Sequence, residues 1–336
     1  MVLVTGGTGF IGSHLLLYLT RKQIKVRAIY QREKNILKTK KIFQSYCSPE
    51  EAQKLFQQIK WIKADITDVT SLEDVFDNVK KVYHVAGKVS FNPADQHKLD
   101  LVNVTGTENM LHWAIEKKIQ KFLFVSSIAT LSSYPQPVKE SNLWNWKEPH
   151  NDYDISKYLA EMSVWRASQE GLPVVIVNPS VVLGSGFWQD GSGKLFDKVY
   201  KGLGFYTSGS TGFIDVWDVV KAMYLLMESN IINESFILSG YNISYKNLLT
   251  EISDSLKVKA PKHLLPKWPL LIFSYLNAIL PVKLKTPLTK KMVKVLYSHT
   301  SYSSEKLVQS LNFNFTPFKV SINQIAQQYI KNQSTK

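Results

Sequence analysis

Hydrophobic positions in the first half of the chain come in two kinds of run. Short β-branched or aromatic runs occupy 2–5 (VLVT), 25–30 (KVRAIY), 59–63 (IKWIK), 81–86 (KVYHVA), 121–126 (KFLFVS) and 173–177 (PVVIV), and these read as buried strands. Between them, longer stretches carry apolar residues at helical spacing, which predicts helices over 10–22, 71–77, 97–118 and 152–170. Strand–helix alternation of this kind predicts an α/β fold with a parallel sheet covered on both faces. A Lys/Gln-rich stretch, 33–58, interrupts the alternation and reads as a helical insertion.

After residue 178 the pattern loosens. Glycines and aromatics dominate 184–213, then FIDVWDVVKAMYLLME (213–228) reads as a short strand feeding an amphipathic helix, and SFILSG (235–240) as another strand. The remainder is mostly helical, with prolines at 261, 266, 269, 281 and 287 marking breaks.

The first strand runs directly into TGGTGFIG, which spaces Gly6, Gly9 and Gly12 three apart. Such a turn lets the backbone approach a pyrophosphate closely. The N–H groups that open the next helix, at Phe10 and Ile11, then meet the phosphate charge. A glycine triplet alone is weak evidence; a preceding strand and a following amphipathic helix (Ile11, Leu15, Leu16, Leu19) are the confirming context. The expected architecture is a Rossmann-type, doubly wound parallel sheet with a smaller, mostly helical C-terminal substrate domain. Residues 1–178 plus 213–240 would form the dinucleotide-binding domain, and 179–212 plus 241–336 the substrate-binding domain.

The second strand ends in AIYQREK, with Tyr30 where an acid would accept the ribose hydroxyls of NAD. Arg32 follows and suits a 2′-phosphate, so NADP is the expected cofactor. NAD, held by Glu33 or backbone groups, is the alternative. Asp65, with Ile66 after it, follows the third strand in KADITD. It is placed to accept from an adenine amino group or to cap the next turn.

The chain has 336 residues, one cysteine (Cys47) and a net charge of +14. A lone cysteine rules out an internal disulfide and fits a reducing, cytoplasmic setting. The N-terminus lacks the basic start and apolar core expected of a signal peptide. The positive charge is carried mostly by lysine, with only four arginines, Arg21, Arg27, Arg32 and Arg166. No arginine cluster exists to read phosphates, so no nucleic-acid partner is expected.

Between Ser255 and Ser304 there are nine lysines and no acid, with WPLLIFSYLNAILPV (268–282) in their midst. That run falls short of the ~20 apolar residues that span a bilayer. It reads either as a buried helix of the substrate domain, the reading we favour here, or as a helix on an anionic membrane surface. The second reading would place the protein peripherally on the inner face of a membrane.

The spacing Tyr-x-x-x-Lys occurs four times: Tyr18/Lys22, Tyr30/Lys34, Tyr153/Lys157 and Tyr302/Lys306. Only Tyr153/Lys157 opens a long helix one crossover after a strand that ends in serines, Ser126 and Ser127. Chemistry in open parallel sheets gathers at the carboxyl ends of strands. Hydride transfer between a nicotinamide and a carbonyl needs a proton donor for the developing alkoxide. A nearby lysine cation, together with the charge of the oxidised nicotinamide, would lower the tyrosine pKa, and a serine hydroxyl would orient the substrate oxygen.

Taken in order, TGGTGFIG, ADITD, VYHVAG (82–87), NVTGTENML (103–111), FVSSIAT (124–130), YDISK (153–157), VNPSVVLGSG (177–186) and FIDVWDVVKA (213–222) resemble the extended short-chain dehydrogenases/reductases. That group is also called the NAD-dependent epimerase/dehydratase family. Within it the chain looks most like the dihydroflavonol-4-reductase and 3β-hydroxysteroid dehydrogenase branches. The resemblance implies that Ser127 is the active-site hydroxyl, Tyr153 the acid–base and Lys157 its partner. It implies that Asn103 ties the central helix to the active-site strand. Ala86, Gly87 and Lys88 would line the cofactor, and Pro179, Ser180 and Val181 would border the nicotinamide. Gly87 departs from the second alanine common at that place. The family also suggests a homodimer through 97–118 and 152–170.

Three functions follow. The first is an oxidoreductase acting on a ketone or secondary alcohol of an apolar small molecule, with Phe187, Trp188, Phe205, Tyr206 and Trp268 as pocket candidates. The second is a nucleotide-sugar epimerase or dehydratase, which Asn178 would serve but which lacks any arginine after Arg166. The third is a non-catalytic dinucleotide-binding protein. DGSGKL (190–195) fails as a phosphate loop, because Trp188 stands where glycine is needed and Leu195 follows Lys194. It reads as a flexible loop over the active site. The seven histidines show no metal-ligand spacing; His14 and His84 read as packing residues, and no metal is expected.

Overall fold

A computed structural model describes residues 1–279, 286 and 288–334, without the side chains of 278 and 279. The strands are β1 (Val2–Thr5), β2 (Val26–Tyr30), β3 (Ile59–Lys63), β4 (Lys81–His84), β5 (Lys121–Val125), β6 (Val174–Pro179), β7 (Val181–Leu183), β8 (Phe205–Tyr206), β9 (Ser210–Asp215), β10 (Glu234–Leu238), β11 (Tyr241–Ser244) and β12 (His263–Leu264). The helices are α1 (Phe10–Arg21), α2 (Ile36–Tyr46), α3 (Pro49–Gln57), α4 (Gln96–Leu99), α5 (Gly106–Glu116), α6 (Asp152–Gln169), α7 (Gly193–Tyr200), α8 (Val216–Glu228), α9 (Tyr245–Leu256), α10 (Lys267–Ile279), α11 (Lys290–Tyr297), α12 (Glu305–Leu311) and α13 (Phe318–Ser334).

Seven strands form one sheet in the order β10-β6-β5-β4-β1-β2-β3, and every pairing in it is parallel. This is the doubly wound Rossmann architecture expected from the alternation. The central strands are buried on both faces, as at Leu3, Val4, Leu123 and Phe124, which explains why they read as continuous rather than alternating apolar runs. One face packs against α1 and α8 through Leu15, Leu16, Val219 and Met223. The other packs against α5 and α6 through Met110, Leu111, Ala160 and Val164. A second sheet, β11-β9-β7, and a third core around Trp188, Phe196, Ile252 and Tyr329 lie in the C-terminal part. Thus β9 pairs outside the main sheet, while α8 and β10 return to it.

Two expected helices take other forms. The stretch 71–77 lies in a 3₁₀ segment, Val69–Phe76, entered through the Asp68 carboxylate, which accepts from Thr70 N. The 97–118 helix is α4 and α5 joined by a π-helical stretch, Asp100–Thr105, which contains Asn103. The insertion 33–58 is helical, as α2 and α3, and covers the loop after β7: a Cβ added to Gly186 would lie 2.0 Å from Ile42 Cδ1. The segment 190–195 is not a loop throughout, because Gly193 starts α7, which buries Phe196 in the third core.

Candidate active site

The turn between β1 and α1 is closed by Gly9 N donating to Gly6 O at 2.9 Å. Gly6 has φ +66°, where a side chain is strained, and a Cβ there would also lie 2.6 Å from Ala86 N. At Gly12 a Cβ would lie 2.1 Å from Gly6 O, a fixed backbone atom. Glycine is therefore required at both ends of the turn. The N-cap of α1 is Gly9, which has no side chain to satisfy the helix's first N–H groups. Those at Phe10 and Ile11 are suited to an anion, so the residues present fit a dinucleotide pyrophosphate.

The β4 exit lies against this turn. Thr5 Oγ1 accepts from Val85 N and Ala86 N, and bonds His84 Nδ1 at 2.8 Å. His84 Nε2 meets Thr107 Oγ1 at 3.0 Å. Burial, and then the Lys157 charge, pushes the His84 pKa down to about 3, so the ring is a neutral strut between β1, β4 and α5. His14 is likewise a packing residue, lowered by burial to about 4.

One step further along, a Cβ on Gly87 would lie 3.4 Å from Asn103 Oδ1 and 3.9 Å from Lys157 Nζ. Asn103 accepts from Lys88 N at 2.7 Å, and donates to Lys88 O at 3.0 Å and to Ser156 Oγ at 2.9 Å. It thereby ties the π turn to both the β4 exit and α6.

Helix α6 starts with a capping box. Asn151 Oδ1 accepts from Asp154 N at 2.9 Å, and Asp154 Oδ2 accepts from Asn151 N at 3.1 Å. Caps of this type stabilise a helix start by about 1 kcal/mol. Here the cap fixes the first turn, which holds Tyr153, with Lys157 one turn later on the same face. Ser127 engages the Tyr153 phenol, and the Tyr153 ring meets Phe91 edge-on at 5.6 Å. Ser127 Oγ also accepts from Ala129 N at 3.1 Å.

Burial holds the Tyr153 pKa above its ordinary value, partly opposed by Ser127. The lowering expected from Lys157 joined to an oxidised nicotinamide concerns the loaded site; here burial and Ser127 alone set the direction. The Lys157 ammonium is buried, donates to Val125 O at 2.7 Å and lies 4.3 Å from the Phe124 ring centroid. Burial lowers its own pKa to about 8, against an opposing contribution from Glu161.

Glu161 escaped the sequence reading, since a glutamate on a helix normally faces water. It is buried, and Oε2 accepts from Ser126 Oγ at 2.5 Å, Thr130 Oγ1 at 2.9 Å and Asn178 Nδ2 at 3.0 Å. Asn178 also donates to Ser127 O at 3.2 Å. Its amide nitrogen is thus engaged beneath the β5 and β6 ends. Only its spacing, four residues beyond Lys157, could have drawn attention to Glu161.

The other three Tyr/Lys pairs lie elsewhere. Lys22 rests 5.9 Å from the Tyr18 ring at the far end of α1, Tyr30 ends β2, and Lys306 pairs with Glu234. Arg32 is exposed after β2 and has no ion pair among the described residues. Asp65 is occupied by its own turn: Oδ1 accepts from Thr67 N and Oγ1, and Oδ2 from Gln31 Nε2. Ile66 packs on Gly106. The Lys88 ammonium turns to Asp95 at 3.6 Å. Pro179 ends β6 and Val181 starts β7, half-exposed, while the Ser180 Oγ is buried without a partner among the described residues, its Cβ against Gly212.

The proposed aromatic pocket does not assemble. Trp188 packs on Phe196 and Tyr329 in the third core, and Phe187 on Phe10. Phe205 and Trp268 face solvent. Phe91, absent from the sequence reading, is the aromatic that reaches Tyr153.

A family model described as the NAD dependent epimerase/dehydratase family matches residues 2–238. The chain belongs to that family. It is 27% identical to a putative dihydroflavonol 4-reductase of Synechocystis sp., over 92% of this chain and 88% of the relative. Among solved structures it superposes on gox2253 with a TM-score of 0.81 at 24% identity, covering 99% and 98% of the two chains. A UDP-glucuronic acid 4-epimerase from Bacillus cereus, in complex with NAD, gives 0.75 at 19% identity over 98% of each chain. Family membership spans reductases and epimerases, and the shared fold does not choose between them.

Proposed function

We propose that this family member is an oxidoreductase that transfers a hydride between a nicotinamide dinucleotide and a ketone or secondary alcohol of an apolar substrate. The carrying observation is an unbroken set of contacts from the glycine turn to the acid–base pair. Gly6 lies against Ala86, Asn103 accepts from Lys88 N next to Gly87 and donates to Ser156 on α6, and Ser127 engages Tyr153. Bound there, the dinucleotide would supply or accept the hydride.

In the reducing direction, the Tyr153 phenol gives its proton to the substrate oxygen while the Ser127 hydroxyl donates a hydrogen bond to it. A phenol held above its ordinary pKa carries its proton at neutral pH. The Lys157 cation stabilises the phenolate that remains.

Phe91 beside Tyr153, together with exposed Val89, favours an apolar substrate. The free guanidinium of Arg32 at the β2 exit favours NADP over NAD. The sugar-nucleotide alternative is weakened at Asn178, whose amide nitrogen is taken by Glu161 and the Ser127 backbone. The test is a substrate screen following NADPH absorbance, with hydrophobic ketones against UDP-sugars. Turnover of ketones with UDP-sugars inert is expected, and interconversion of UDP-sugars without net NADPH oxidation would refute the assignment.

A further inference from the structure

Helix α10 is inside out. Its buried side carries Ser274 and Asn277, 2% and 3% exposed, whereas Trp268, Ile272, Phe273, Tyr275 and Leu276 are 65%, 53%, 46%, 56% and 56% exposed. The two buried polar side chains, flanked by half-buried Leu270 and Leu271, are satisfied. Ser274 Oγ donates to Leu271 O at 2.8 Å. Asn277 donates to Thr286 O at 3.0 Å and Leu288 O at 3.2 Å, and accepts from Thr286 N at 2.7 Å. At ~100° per residue, these five exposed apolar side chains span one face about 160° wide. The favoured sequence reading, a buried apolar helix, is therefore reversed: the apolar stripe is the outer surface. A contiguous exposed patch of this kind marks an interaction surface.

Charge decides the occupant. The segment from Ser255 to Ser304 has nine lysines and no acid. Lys257, Lys259, Lys262, Lys267, Lys290 and Lys294 are exposed, and Lys290 Nζ lies 3.7 Å from the Tyr275 ring centroid, at the edge of the stripe. A second copy docked face to face would bring like charges together. An anionic lipid surface offers acyl chains to the stripe and phosphates to the lysines.

No helix among the described residues is long and apolar enough to cross a membrane. One turn-rich amphipathic helix of this length lies flat in the headgroup layer instead. The neighbouring helix α11 is anchored beside the active site, through an ion pair between Lys291 and Asp154, next to Tyr153. We infer that α10 and its flanking lysines seat the protein on an anionic bilayer surface, with the catalytic helix fastened to the membrane-facing element.

The test uses the full chain and vesicles of phosphatidylcholine, with and without about one-third phosphatidylglycerol, the anionic lipid supplying the surface potential. Sedimentation should show binding to the anionic vesicles alone, reversed by high salt. Brominated lipid should quench tryptophan emission, and that quenching should vanish in Trp268→Phe. Ile272→Glu with Leu276→Glu should weaken binding more than about tenfold, and Lys262→Gln with Lys267→Gln by a similar factor, since each basic residue near the surface contributes roughly fivefold.

Equal binding to neutral vesicles would overturn the inference, as would binding that survives both variants. So would absence of lipid quenching in the unsubstituted chain, a result that does not depend on any variant folding. Concentration-dependent self-association lost in Ile272→Glu would likewise overturn it, by assigning the stripe to a second copy.

Discussion

Glu161→Gln isolates the charge that acts on Lys157, the lysine of the proposed acid–base pair. The amide keeps the size of the carboxylate and can still accept from Ser126, Thr130 or Asn178 after hydroxyl rotation, so the change is mainly electrostatic. Lys157 stands at about 8 with the Glu161 charge opposing the effect of burial. Side chains one helical turn apart are about 6 Å from each other, and at an effective dielectric of ~20 two unit charges then interact by roughly 3 kcal/mol. Allowing for relaxation, that is a fall of one to two pKa units, at ~1.4 kcal/mol per unit.

With a shift of about 1.5 units, the charged fraction of Lys157 at pH 7.5 drops roughly eightfold. The assay is kcat for ketone reduction between pH 5.5 and 9.5. The alkaline limb should move down from about 8 in the parent by one to two units, with near-parental kcat recovered in acid. A limb that stays in place, or a loss of kcat equal at every pH, would refute the claim that Glu161 acts by holding charge on Lys157.

Three further outcomes follow from the same geometry. Lys157 is held below its ordinary value near 10.5, so between about 8 and 10.5 the unfolded chain binds a proton that the folded chain has released. Its contribution to stability therefore rises with pH across that window, and Lys157→Met should flatten the urea-denaturation profile there by roughly one proton's slope. Because Lys121 and Lys291 are also lowered to about 8 by burial, the comparison with the parent is what assigns the effect. Arg32→Ala should weaken NADPH binding by about ten- to a hundredfold and leave NADH within about twofold, measured by fluorescence titration, as expected for loss of a charge-assisted contact. Gly12→Ala should lower the melting temperature and abolish the dinucleotide-induced rise, because its Cβ meets Gly6 O at 2.1 Å.

The main sheet was legible because its strands are buried on both faces and bounded by helical stretches. Val2–Thr5 and Lys121–Val125 announce themselves without any partner information. The proposed trio was drawn from the ends of such elements, Ser127 after β5 and Tyr153 at the start of α6, with Lys157 one turn on. What escaped depends on contacts between distant residues. Periodicity shows a helix through 97–118, but not the π turn that aims Asn103 at Lys88. Composition cannot show that Glu161 is buried, because only the hydroxyls and amide brought by β5, β6 and the turn after β5 make that burial tolerable. The aromatic pocket failed for the opposite reason: large rings serve cores and surfaces alike, and Trp188 went to one while Trp268 went to the other. For α10, apolar content suggested burial, and only the positions of Ser274 and Asn277 reveal which side faces inward.

The central claim is that the Tyr153 phenol delivers the proton beside a dinucleotide seated on the glycine turn. Tyr153→Phe tests it most directly, with NADPH binding followed by fluorescence and turnover by absorbance on the same preparation. The account predicts NADPH affinity within about threefold of the parent and turnover reduced by roughly 10²- to 10⁴-fold. Turnover at the parental rate in that variant would contradict it.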